Sequence, residues 1–173
     1  MGIESIKIEG RTKSYYYVAR TAQVYRRAIE DSLGDAEFDM GLMDELEKLS
    51  SRGYTEGFYR RHPPGEYQNY EQNRSMSEKQ QFVGDVVSIS DDQLTIEVKN
   101  RFQVGDSLEL MTPGGTTNFV LGDMKNLKGQ KMVTAPGSGH TVTFQSPVPH
   151  LPSDMAAYGL ILRNLPQDNP PVP

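Results

Sequence analysis

The apolar period of this chain becomes that of strands near residue 81, and the change divides it into two kinds of structure. Over 14–52 hydrophobic residues recur three and four apart; from 81 onward they alternate with polar ones. Val18, Ala22, Tyr25 and Ala28/Ile29 make the apolar stripe of a helix over 14–31, with Arg20, Gln23, Arg27 and Glu30 facing elsewhere. Thr12 or Ser14 can cap its start and Gly34 can end it. A second helix is expected over 39–52, capped by Asp39, striped by Leu42, Leu46 and Leu49, and followed by Gly53. Ahead of both, Ile6 and Ile8 alternate with Lys7 and Glu9, a strand period broken by Gly10. A lone strand-turn-helix unit cannot bury its own apolar surface. It reads as a piece of something larger.

Residues 53–80 follow neither period. Pro63-Pro64-Gly65 excludes helix, and Gln, Asn, Ser and Glu dominate up to Gln80, so this stretch reads as a linker. From Gln81 onward six short strands are expected: Phe82–Ile89, Leu94–Val98, Leu108–Met111, Asn118–Leu121, Thr141–Phe144 and Tyr158–Arg163. The turns Asp91-Asp92, Val104-Gly105-Asp106, Pro113-Gly114-Gly115 and Pro136-Gly137 separate them. Strands this short and turns this frequent suggest a small closed barrel, which removes exposed edges. The fold class is therefore α+β: a helical N-terminal segment followed by a small all-β barrel over 81–165. A Pro-rich tail over 166–173 is expected to fray.

Composition narrows the chemistry. The chain has no cysteine, which removes disulfides, thiolate metal sites and a thiol nucleophile. Its net charge of −5 excludes a global basic footprint for nucleic acid, though a local basic patch is compatible with it. Residues 1–75 carry 11 of the 18 Lys+Arg and 13 of the 23 Asp+Glu, so the second half is sparsely charged. No run of apolar residues is long enough to span a membrane, and a cytoplasmic location is expected.

His62, His140 and His150 lack metal-ligand spacing, and no metal site is expected. Gly137-Ser138-Gly139-His140 reads better as a turn than as an activated serine, because no acid is placed to orient the histidine. Asp91-Asp92 reads as a turn, since adjacent carboxylates point apart. Two constellations remain. Glu9 and Arg11 end the first strand, the position that faces the active site if that strand belongs to a β/α barrel; the bland reading is a pair of solvated charges. Tyr59, Arg60, Arg61 and His62 join Tyr54, Phe58, Tyr67, Tyr70 and Arg74 in a mixture that suits single-stranded RNA by stacking and phosphate contact. The bland reading there is a linker strapped down by its aromatics.

Ile6-Lys-Ile-Glu-Gly-Arg-Thr-Lys-Ser14, Tyr16-Tyr17-Val18-Ala19, Tyr25-Arg26 and Ser51–Tyr59 resemble the peptidase U32 (collagenase-like protease) family near the end of its catalytic domain. Asn69-Tyr70-Glu71, Gln81-Phe82-Val83-Gly84 and Val104–Pro113 resemble the branch of that family that includes tRNA 5-hydroxyuridine modification. The resemblance implies a longer parent, with residues 1–52 as the last strand and helices of a truncated β/α-barrel-like catalytic domain, 53–80 as linker and 81–165 as the C-terminal barrel, similar to those of translation factors. It implies an accessory part that positions tRNA for a missing catalytic domain and holds no cofactor itself. The alternative is a substrate-holding or structural part of a U32 peptidase. Expected partners are tRNA, through Tyr59, Arg60, Arg61, Lys99 and Arg101, and the parent's catalytic domain, toward whose cavity Glu9 and Arg11 would face. No membrane partner is expected. The stripe of Val18, Ala22 and Tyr25 needs a cover: the second helix, the barrel or a second copy of the chain.

Overall fold

A computed structural model describes residues 5–11, 13–49 and 79–166. The chain divides into two compact units, 1–76 and 77–173. Among the described residues no helix is long and apolar enough to cross a membrane.

In the first unit, α1 runs Tyr15–Leu33 and α2 runs Gly41–Glu47. Ser14 is the N-cap of α1: its Oγ accepts from the Tyr17 N–H at 3.3 Å. Gly34 closes the other end, donating its N–H to Glu30 O. Asp39 Oδ1 accepts from the Gly41 N–H and so serves the start of α2, which ends at Glu47 with Lys48 as its C-cap, short of the expected 52. Leu42 and Leu49 are buried, as their spacing requires.

The buried face of α1 is not the expected one. Tyr16, Arg20, Thr21 and Val24 are buried, whereas Val18, Tyr25 and Ile29 are 49%, 38% and 46% exposed. The reason is an ion pair. Arg20 Nη1 donates to Glu45 Oε2 of α2 at 2.9 Å, and Lys48 Nζ reaches the other oxygen of that carboxylate at 2.6 Å. The guanidinium, only 1% exposed, turns its own helix face toward α2. Residues 5–10 form no strand: Ile6 and Ile8 are exposed, and no neighbouring backbone pairs with them among the described residues. Alternation alone does not make a strand without a partner.

The second unit is antiparallel sheet. Its strands are β1 Gln80–Ser90, β2 Gln93–Val98, β3 Phe102–Gln103, β4 Ser107–Thr112, β5 Gly115–Val120, β6 Met124–Asn126, β7 Lys131–Met132, β8 Thr134–Ala135, β9 Thr141–Gln145 and β10 Leu160–Asn164; one helical turn, α3, spans Ser153–Ala156. Eight strands form one sheet in the order β5-β4-β10-β1-β2-β9-β6-β7, and β3 pairs with β8 separately. The six expected strands are all present. The polar stretch between the fourth and fifth supplies β6, β7 and β8, and β3 precedes β4.

The expected closed barrel is not formed by a strand ladder, since β5 and β7 stand unpaired with each other at the two ends of the order. Both ends do reach one turn. Val104 N–H donates to Val133 O at 2.9 Å, and Gly105 N–H donates to Leu121 O at 2.8 Å. Gly105 sits at φ +92°, which glycine adopts without strain. Asp106 holds the turn by accepting from the Gln103 N–H at 2.9 Å and pairing with Arg163 at 3.4 Å. Val83, Leu94, Ile96, Leu108, Leu110, Met124, Val142, Phe144 and Ile161 form the core on the inward face.

Strand β1 is the axis of this unit. It pairs with β10 on one side and β2 on the other, with a register shift on each ladder. Gly84 lies at the first shift, where an added Cβ would come within 2.6 Å of Ile96 Cγ2 and 2.9 Å of Glu97 O. Gly84→Ala is therefore expected to destabilise the unit by about 1–3 kcal/mol through overpacking. Urea unfolding followed by circular dichroism measures this; an unchanged midpoint would contradict it.

Candidate functional site

The structure separates the sequence-predicted site residues. Glu9 pairs with Lys7 at 3.3 Å and with Arg11 at 3.9 Å, and all three side chains are well exposed. These are solvated ion pairs on an irregular segment, with little energetic weight. Tyr59, Arg60 and Arg61 lie outside the described residues, as does His62. His140 Nδ1 lies 3.2 Å from Gly137 O within a local turn, and His150 joins two distant loops, its N–H donating to Asp92 Oδ1 at 2.8 Å. Among the described residues no group of His, Asp and Glu side chains could hold a metal ion.

Lys99 is a structural cation. Asp85 on β1 and Glu97 on β2 are directly opposed across the ladder, a like-charge placement that weakens a sheet. Lys99 Nζ bridges them, at 2.8 Å from Glu97 Oε1 and 3.3 Å from Asp85 Oδ2. The hydrogen bond to Glu97 leads in raising the Lys99 pKa above the ordinary lysine value, with Asp85 adding to it. Arg101 differs: its carbonyl accepts from Arg163 Nη1, while its exposed guanidinium has no carboxylate partner among the described residues.

Two clusters carry chemistry that the sequence reading did not single out. The first is buried. Gln80 Nε2 donates to Glu109 Oε2 at 3.2 Å and to Asn164 Oδ1 at 2.8 Å, joining β1, β4 and β10 through side chains. Asn164 Nδ2 continues to Ser107 Oγ and Asn118 Oδ1. Glu109 is 1% exposed, so the sheet face opposite the core is covered there.

The second is the β6–β7 hairpin. Lys125 and Lys131 are directly opposed across its ladder, and Lys128 stands in its turn. The Asn126 side chain builds that turn, its Oδ1 accepting from the Lys128 and Gln130 N–H groups at 2.9 and 3.0 Å. Gly129 takes φ +77°. Leu127 is 69% exposed at the tip. The signal was present in the sequence, because no Asp or Glu occurs from Met124 to Ser153.

Against known proteins, residues 78–163 match the peptidase family U32 C-terminal domain and residues 1–69 match peptidase family U32. The chain is 54% identical over 166 residues to the tRNA hydroxylation protein P of Escherichia coli (strain K12), covering 95% of this chain and 36% of that protein. It is 49% identical over 172 residues to the protein of the same name from Haemophilus influenzae, covering 98% of this chain and 36% of that protein. The chain thus spans about a third of the length of these curated relatives. The crystal structure of the C-terminal domain of a Geobacillus thermoleovorans protein assigned provisionally to the U32 peptidases is 21% identical with a TM-score of 0.41, covering 47% of this chain and 96% of that one.

The raised pKa of Lys99 sets a pH signature. Its stabilisation is fully present below the ordinary lysine range and is lost as pH rises through the folded-state value. Lys99→Met is expected to lower Tm at neutral pH, and the gap from the parent chain is expected to close above about pH 10.5. Thermal melts across that range check this; a gap that persists at high pH would assign the loss to packing rather than charge.

Proposed function

Because this chain belongs to peptidase family U32, and its relatives from Escherichia coli and Haemophilus influenzae are named for tRNA hydroxylation, we propose that it is the tRNA-holding accessory part of a protein that hydroxylates tRNA uridine at position 5. The observation that carries this reading is the 54% identity to tRNA hydroxylation protein P, which extends over 95% of the chain and through both units. On this reading the chain positions the substrate, and the reaction belongs to the part of the relatives that it does not span. The meeting of both sheet ends at the Val104–Asp106 turn supports a barrel-like β unit of the kind that presents one polar face to RNA.

Arg101 suits RNA contact because its cation is exposed and has no carboxylate partner among the described residues; Tyr59, Arg60 and Arg61 keep the role their residue types suggest. Lys99 suits it least, since two carboxylates already hold it. The exposed stripe of α1 offers a surface for the rest of a U32 catalytic domain in cis.

The test is binding of a tRNA transcript to the chain across a salt series. Saturable binding that weakens steadily with salt is expected, because phosphate contacts release counterions. Absence of binding at low salt, where attraction is strongest, would reject a tRNA-holding role for this chain. Capture of unfolded collagen-like peptide in its place would favour the peptidase reading.

A further inference from the structure

We infer that the β6–β7 hairpin, with the outward row of hydroxyl side chains beside it, is the phosphate-binding face of this chain, with Lys125, Lys128 and Lys131 as its cations and the RNA backbone as its ligand. The inference rests on the tRNA-holding role proposed above and names the surface that performs it.

Ladder register puts the residues in line. Lys131 opposes Lys125, Lys125 opposes Thr143, Thr143 opposes Thr95, and Thr95 opposes Ser88. These five side chains share the face opposite the core, because Leu94, Ile96, Val142, Phe144 and Met124 occupy the alternate positions and are buried. The row crosses β7, β6, β9, β2 and β1, about 19 Å at ordinary strand spacing. It offers ammonium and hydroxyl donors, the groups that position a nucleic-acid backbone without reading its sequence. The neighbouring row on one side is neutral, formed by Gln145, Gln93 and Ser90. On the other side Asp85 and Glu97, bridged by Lys99, give a negative border that directs an anionic strand toward the hairpin.

Three observations separate this from an ordinary charged surface. Among the described residues none of the three lysines forms an ion pair, although the chain as a whole is acidic. Lysine on an edge strand is a common guard against aggregation, and that would explain Lys131 on β7. It does not explain Lys125, placed directly opposite, where two like charges weaken the ladder. Nor does it explain a third lysine, Lys128, in the turn between them, whose backbone N–H the Asn126 side chain holds. Cations held together against their own repulsion, in a thirty-residue stretch without a carboxylate, fit a polyanionic ligand.

The experiment compares the chain with its Lys125→Gln/Lys128→Gln/Lys131→Gln variant for tRNA binding over a salt series, with thermal melts beside it. Removing the opposed charges is expected to leave Tm unchanged or raised, so a loss of binding cannot be assigned to unfolding. Affinity at low salt is expected to fall about tenfold or more, and the slope of log affinity against log salt to fall by about two. If both proteins bind tRNA equally, with equal slopes, the hairpin is not the phosphate face and the tRNA-holding role stands on other residues. If the unmodified chain does not bind tRNA at all, that role fails and this inference fails with it.

Discussion

The β unit depends on the pairing of its first strand with its last. Strand β1 lies between β10 and β2, so the two ends of the unit are zipped together in the middle of the sheet, down to the hydrogen bond from Leu165 N to Lys79 O. Every other strand of the eight-stranded sheet is attached outward from that seam. Pairings this distant in sequence form only after a large loss of chain entropy, so the sheet gains little until both ends are in place. Gly84 and Gly159 permit the seam. At each, a Cβ would press on a neighbour's side chain and on a backbone oxygen. The side-chain network of Gln80, Glu109 and Asn164 ties the same seam from the face opposite the core.

Much of this was legible in the residues. Ser14 and Gly34 bound α1 because capping chemistry is local, and six strands follow from alternation and turn residues. The failures have physical causes. Apolar spacing points to the wrong face of α1 because it assumes that charge stays out, whereas Arg20 is drawn inward by Glu45, twenty-five residues on. Strands β3, β7 and β8, two residues each, are too short to show a period; β7 is set against β6 by the Asn126 turn, and β3 finds its partner in β8, more than thirty residues on. Ile6 and Ile8 alternate but find no partner among the described residues.

The site was less legible than the fold. Composition points to the arginine and aromatic residues between 53 and 80, which suit RNA, and the lysines of the hairpin look like ordinary surface charge along the linear chain. Only the register shows that Lys125 and Lys131 oppose each other and continue a line of hydroxyls. Lys99 shows the converse. It is a lysine near a strand end like the others, but it neutralises two opposed carboxylates and so belongs to the stability of the sheet. In an acidic chain, which cations are unpaired and collected on one face matters more than the net charge.

The most direct measurement is lysine acetylation of the chain with and without bound tRNA, read site by site by mass spectrometry. The account predicts that tRNA protects Lys125, Lys128 and Lys131 together, while Lys99 reacts equally in both states. Protection confined to other lysines, with the three hairpin sites modified as in the free chain, would contradict it.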